Sequence, residues 1–177
     1  MTPLVLVMGV SGCGKSSVAQ ALARRLDWRF IDADDYHPAR NIEKMRAGMA
    51  LNDEDRMPWL DRLNAVLRHS AAKAQPMVLA CSALREAYRL RLADRLDALG
   101  IVHLQGDFDT IAARLALRQH RYMPASLLRS QFDTLEAPTD ALVIDIREDL
   151  DRIVDRLAAR WTPTGLPADP AQSNHQK

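Results

Sequence analysis

Cysteine is scarce: Cys13 and Cys81 are the two in 177 residues, and their spacing fits neither a disulfide framework nor a zinc site. Both are read as reduced thiols. For Cys13 a small loop residue is the simpler reading, and a redox-sensing thiol activated by neighbouring Lys15 is the alternative. Long apolar runs are also missing, since nothing approaches the ~20 residues that cross a bilayer. Met1 passes directly towards a strand, without a charged leader and cleavage site. We therefore expect a cytoplasmic protein that does not enter membranes. Charge of one sign is absent too: 24 Lys and Arg stand against 23 Asp and Glu, a net charge of +1. That balance provides no general field for nucleic acid or an anionic membrane. There is no internal repeat.

What the chain does have is GVSGCGKS, from Gly9 to Ser16, which fills every fixed position of the phosphate-binding pattern G-x-x-x-x-G-K-[ST]. An apolar run, Leu4 to Met8, precedes it. Val18, Ala19, Leu22, Ala23 and Leu26 follow at helical spacing. The motif thus has its strand, loop and helix context. Glycines at 9, 12 and 14 let backbone amides approach phosphate oxygens at the start of a helix. Lys15 supplies a full charge for the outer phosphates, and the Ser16 hydroxyl suits a bridging magnesium ion. The expected cofactors are ATP and Mg2+, with the nucleotide held by Gly9, Val10, Ser11, Gly12, Cys13, Gly14, Lys15, Ser16 and Ser17, together with Arg114 further on.

Strand-like runs at 28–31, 77–81, 101–104 and 141–145 alternate with helical patterns, which predicts a parallel sheet covered on both faces. The expected fold is α/β, with three layers, five parallel strands and a small lid at about 114–126. The helix after Pro38 carries Ile42 and Met45. The next one starts at Asp53 or at Pro58 and buries Trp59, Leu60, Leu63, Val66 and Leu67. A further helix opens at Ser82 or Ala83, and Asp109 caps the one bearing Ile111 and Leu115. Leu150, Ile153, Val154, Leu157 and Trp161 mark the last helix. Residues 1–161 are expected to form a single domain. The stretch 162–177, with Pro163, Gly165, Pro167 and Pro170, lacks periodicity and is expected to be disordered.

A phosphate loop is shared by switches, motors and kinases, so its companions decide the class. The run 77–81 ends without the acidic residue that motor ATPases use for magnesium, and no Asn-Lys-x-Asp guanine-reading segment is evident. Acids instead follow the second strand. Asp32 and Asp34, two residues apart, would share one side of an extended chain. We assign Asp32 to the metal and Asp34 to the attacking hydroxyl. Arg114 and Arg118 are four apart on one helix, with Arg121 beyond. Their charges can converge on a transferred phosphoryl group and help exclude water. The combination points to a small-molecule kinase.

With these pieces in place the sequence resembles the gluconokinase family of ATP-dependent sugar-acid kinases. The resemblance covers nearly all of the chain except the tail. It is carried by GVSGCGKS from Gly9, DADDYHPARNIEKM from Asp32, LNDEDRMPWL from Leu51, ACSALREAYR from Ala80, QGDFDTIAARL from Gln105 and SQFDTLEAP from Ser130. It implies transfer of the ATP γ-phosphate to the 6-hydroxyl of D-gluconate, by an enzyme that is a homodimer. The family lid reads close to RKGHFM. Here Arg118 to Met123 reads RQHRYM, with Gln119 for the usual lysine and Arg121 for the usual histidine. A flexible polyol acid needs a cation for its carboxylate and hydrogen-bonding groups for its hydroxyls. His37, Arg56, Arg85 and Arg89 lie in the family-like segments and, with Asp34, are the acceptor candidates. By analogy adenine sits between the first helix, Arg114 and the loop around Asp145 and Arg147. The alternatives are a kinase for another small hydroxy acid, such as shikimate or another aldonate, and a nucleotide-binding regulator without turnover.

Overall fold

The computed structural model describes residues 1–117 and 125–162. Arg118, Gln119, His120, Arg121 and the remainder of the expected lid loop lie outside the described residues, as does the tail from 163 onward.

β1 (Leu4–Met8) is apolar and buried at every position, which suits a strand covered on both faces. It takes the centre of a parallel sheet. The others are β2 (Arg29–Asp32), β3 (Met77–Ala80), β4 (Gly100–Gln105) and β5 (Leu142–Asp145), in the order β2-β3-β1-β4-β5. In register, Leu6 lies beside Leu79 on one side and Ile101 on the other. Side-chain alternation along each strand then sorts a continuous apolar run into two cores.

Leu4, Leu6 and Met8 join Ile31, Met77 and Leu79 in one core. That core is covered by Trp59, Leu60, Leu63 and Leu67 of α3 (Asp53–Ala72) and by Tyr88 and Leu92 of α4 (Glu86–Ala93). Val5 and Val7 join Val78 and Ala80 in the other core. Val18, Ala19 and Leu22 of α1 (Lys15–Leu26), Ile111 of α5 (Phe108–Ala116) and Leu128 of α6 (Ala125–Thr134) pack there. Ile153 and Leu157 of α7 (Leu150–Trp161) complete it. Each fully buried leucine or isoleucine contributes about 1.5–3 kcal/mol. The three-layer α/β/α arrangement is the one expected from the alternation.

Several local expectations change. α2 (Ala39–Arg46) buries Asn41, whereas Met45 is exposed. Pro58 does not set the start of α3; it lies inside the helix. A capping box between Asn52 and Asp55 fixes that start instead, each side chain accepting the other's main-chain N–H. α4 begins at Glu86 rather than near Ser82, because Ala83 adopts a left-handed φ of 42° that a helix cannot accommodate. The cap of α5 is Asp107, which accepts from the Thr110 N–H, while Asp109 sits in the first turn.

His103 on β4 is buried, and burial pushes its pKa below the ordinary 6.5, with the Arg89 charge acting in the same direction. The unfolded chain therefore takes up this proton first. Stability from this site is complete above about pH 6.5 and declines as pH falls through the folded value. Melting temperature should fall between neutral and mildly acidic buffer, and His103→Gln should flatten that slope.

Candidate active site

The loop after β1 places its anion-binding groups at the centre of the sheet. Gly14 is the N-cap of α1 and donates no side-chain cap, and the first turn of α1 contains no acidic residue. Its main-chain amides and the positive end of the helix dipole are left to an anion. Gly14 has a φ of 97°, with no atom within 4 Å of where a Cβ would project, so conformation rather than space requires glycine there. Gly9 differs, because its φ is 145° and a Cβ would lie 2.7 Å from the Leu104 carbonyl oxygen. Gly9→Ala should destabilise the fold by about 3 kcal/mol through combined strain and backbone clash. Urea unfolding monitored by circular dichroism measures that loss; a midpoint unchanged from wild type would contradict it.

Lys15 Nζ donates to the Val10 carbonyl across the loop, 3.1 Å away. The Cys13 side chain is turned into the core beneath this loop, as a small loop residue would be. Ser16 Oγ donates to Asp32 Oδ2 at 2.6 Å, which joins the start of α1 to the end of β2. Asp32 Oδ1 in turn accepts the Asp34 N–H at 3.1 Å. The extended geometry expected for Asp32 and Asp34 is therefore corrected. Asp32 caps a 3₁₀ turn, Ala33–Tyr36, and the chain coils so that Asp34 sits over its own cap. The pair still occupies one corner of the sheet.

Ser16 and Asp32 place two hard oxygens side by side, a donor set suited to magnesium. Among the described residues no group of three or more His, Cys, Asp or Glu could hold a metal ion alone.

Beyond Asp34 the acceptor candidates divide into two groups. His37 Nε2 lies 3.9 Å from Asp34 Oδ1, and its ring stacks on Trp59 at 4.2 Å between centroids. Trp59 Nε1 donates to the Ala33 carbonyl, which holds the 3₁₀ turn against α3. Burial pushes the His37 pKa down, opposed by Asp34 and assisted by Arg56. Arg56 and Arg85 both stand over Tyr88, their guanidinium carbons 5.6 and 5.9 Å from its ring centre. Asp53 accepts from the Arg85 guanidinium at 3.0 Å and from the Tyr88 hydroxyl. Arg89 is directed inward: it is 7% exposed and donates to the carbonyls of Ala83 and Leu84. It braces the turn before α4 and does not join the Arg56 and Arg85 pair.

Cys81 directly follows β3 and is buried. Burial pushes its thiol up to about 12, and the charges of Lys15, Asp34 and Arg56 all act on it. The carboxyl ends of the strands are where ligands bind in open parallel sheets. On the far side, Arg114 of α5 donates to the Ile146 carbonyl at 2.6 Å, linking α5 to the loop after β5. In that loop Arg147 forks onto Asp145 and holds its carboxyl down at about 2.

Two participants, Gln131 in SQFDTLEAP and Tyr88 in ACSALREAYR, lie in family-like segments whose spacing gives them no role. Gln131 of α6 accepts the Ser11 N–H at 2.7 Å and donates to Ser11 Oγ at 3.1 Å, across 120 positions of chain. Tyr88 reads as part of an apolar helix stripe, and its ring is buried while its hydroxyl reaches Asp53. Only the tertiary fold brings these together.

A family model described as an AAA domain matches residues 4–142. The chain is 42% identical to a probable gluconokinase of Xenopus tropicalis, over 87% of this chain and 90% of that protein. It is likewise 42% identical to the thermoresistant gluconokinase of Escherichia coli (strain K12), over 85% of this chain and 89% of that protein. Among solved structures, a gluconokinase from Sinorhizobium meliloti 1021 superimposes with a TM-score of 0.77 at 38% identity, covering 90% of this chain and 95% of that one.

Proposed function

Because the chain belongs to the gluconokinase family, we propose that it transfers the γ-phosphate of ATP to the 6-hydroxyl of D-gluconate, giving 6-phospho-D-gluconate and ADP. The observation that carries this reading is the Ser16–Asp32 contact, which sets a phosphate loop directly against a pair of carboxylates at the next strand end.

In this mechanism the loop from Gly9 to Ser17 surrounds the phosphates, its Gly9, Ser11 and Cys13 N–H groups being held by Ser82, Gln131 and Val10, and Lys15 leaves the Val10 carbonyl to bind the outer oxygens. Magnesium, when bound with the nucleotide, would neutralise phosphate charge, and Ser16 and Asp32 are the residues to hold it. Asp34 accepts the proton of the attacking hydroxyl. Arg56 and Arg85 receive the gluconate carboxylate, and His37 and Asp53 bond its hydroxyls. Arg114 positions the nucleotide, while Arg118 and Arg121 offset the charge growing on the phosphoryl group and exclude water. No helix among the described residues is long and apolar enough to cross a membrane. We further propose a cytoplasmic homodimer.

The test is ADP release by the purified protein with magnesium and ATP, comparing D-gluconate, other aldonates, shikimate and no acceptor. Selective stimulation by gluconate is expected. Stimulation by a different acid alone would overturn the substrate, and ATP binding without acceptor-dependent release would overturn the kinase reading.

A further inference from the structure

The segment from Gln131 to Glu136 touches both halves of the site. At its start Gln131 grips Ser11 of the phosphate loop through two hydrogen bonds, 2.7 and 3.1 Å. At its end the Glu136 N–H donates to the Leu84 carbonyl at 2.9 Å, and the Glu136 carboxylate accepts the Glu86 N–H at 2.6 Å. Between them Leu135 packs against both apolar cores.

The second contact has a specific consequence for Arg85. Arg85 is the N-cap of α4, a position where serine, threonine, aspartate or asparagine would satisfy the first amides, and its side chain makes no cap bond. Glu136 supplies that cap from 50 positions away, with its negative charge at the positive end of the helix dipole. The Arg85 guanidinium is then committed to Asp53 above Tyr88. One short stretch of chain thus sets a phosphate-loop residue at one end and an acceptor-side arginine at the other.

We propose that residues 131–136 form a strut coupling the nucleotide and acceptor sites, with Gln131 and Glu136 as positioning residues. The inference rests on the gluconate reading above. Filling the phosphate loop orders Ser11, and through the strut orders the start of α4, so the acid meets a prepared Arg85; by linkage the acid prepares the loop equally.

Calorimetry of the full chain, with magnesium β,γ-imido-ATP and D-gluconate, measures each affinity alone and in the presence of the other. In wild type, gluconate should bind about ten-fold more tightly when the nucleotide is present. Gln131→Leu and Glu136→Ala should each bring that ratio to within about two-fold of unity while leaving ATP-analogue affinity alone within about three-fold. The double variant should lose no more than either single one, because one strut is cut in either case. Glu136→Gln, whose amide oxygen still accepts the Glu86 N–H, should retain the ratio. If one variant fails to fold, the other end of the strut and the Glu136→Gln retention decide. A wild-type ratio of unity, or an unchanged ratio in the cut variants, overturns the strut even where ADP release confirms gluconate as substrate. Absence of gluconate-dependent ADP release in wild type overturns the acceptor reading itself, and the strut with it.

Discussion

Lys15→Ala should lower kcat/KM for ATP-dependent transfer by about 10³-fold or more while leaving the melting temperature nearly unchanged. The two halves of that expectation have separate physical origins. Lys15 is the first residue of α1, and its Nζ bonds the Val10 carbonyl and takes no part in the core, so its removal leaves Val18, Ala19 and Leu22 packed as before. Catalysis is different because the ammonium is the mobile full charge in a loop otherwise made of partial charges. One lost hydrogen-bond donor to a developing anion costs about 10²–10³ in rate, and a lost full charge costs more. Steady-state kinetics with ATP varied, beside a thermal melt, provide the check. Activity within ten-fold of wild type would remove Lys15 from the transfer step.

The parts of this molecule that were legible in the sequence are those fixed by near neighbours. Five strand-like runs became five parallel strands, and β1 and β3, buried at every position, declare themselves without a distant partner, while the edge strands β2 and β5 are only partly buried. The phosphate loop was equally plain, its glycines being demanded by local φ values. Errors arose where a side chain took over a backbone role. Asp32 and Asp34 were expected to share a face of extended chain, but Asp32 accepts the Asp34 N–H and coils the segment. Pro58 does not mark the start of α3, whereas Asn52 and Asp55, three apart, spell the capping box that does.

The acceptor side was only partly legible. Arg56 and Arg85 were chosen for their charge, and the fold brings both to Tyr88. Arg89, four residues after Arg85 on nearly the same face, looked equivalent. It is instead drawn inward, because the left-handed Ala83 turns two carbonyls towards it and a guanidinium can satisfy both. Gln131 and Glu136 lie in the family-like segment SQFDTLEAP, but their roles depend on distant partners. Their partners, Ser11 and Glu86, lie 120 and 50 positions away, beyond the reach of any spacing rule.

Asp34→Asn should separate chemistry from binding, lowering kcat by about 10³-fold with ATP affinity within about three-fold of wild type. The substitution keeps the side-chain shape and the main-chain N–H that orients Asp32, so the Ser16–Asp32 contact stays in place. What it removes is the negative charge beside His37 Nε2, and with it the group able to accept the hydroxyl proton. An asparagine oxygen can still accept a hydrogen bond, so acceptor binding should persist with a modest rise in its KM. Lys15→Ala should instead weaken the grip on the outer phosphates as well as the transition state. The two variants therefore differ in how their losses divide between kcat and nucleotide affinity. Fluorescent-nucleotide titration and steady-state kinetics on the same preparations measure that division. Near-wild-type turnover in Asp34→Asn would exclude it as the base. A matching loss of ATP affinity would move Asp34 from the acceptor side to the nucleotide side of the site.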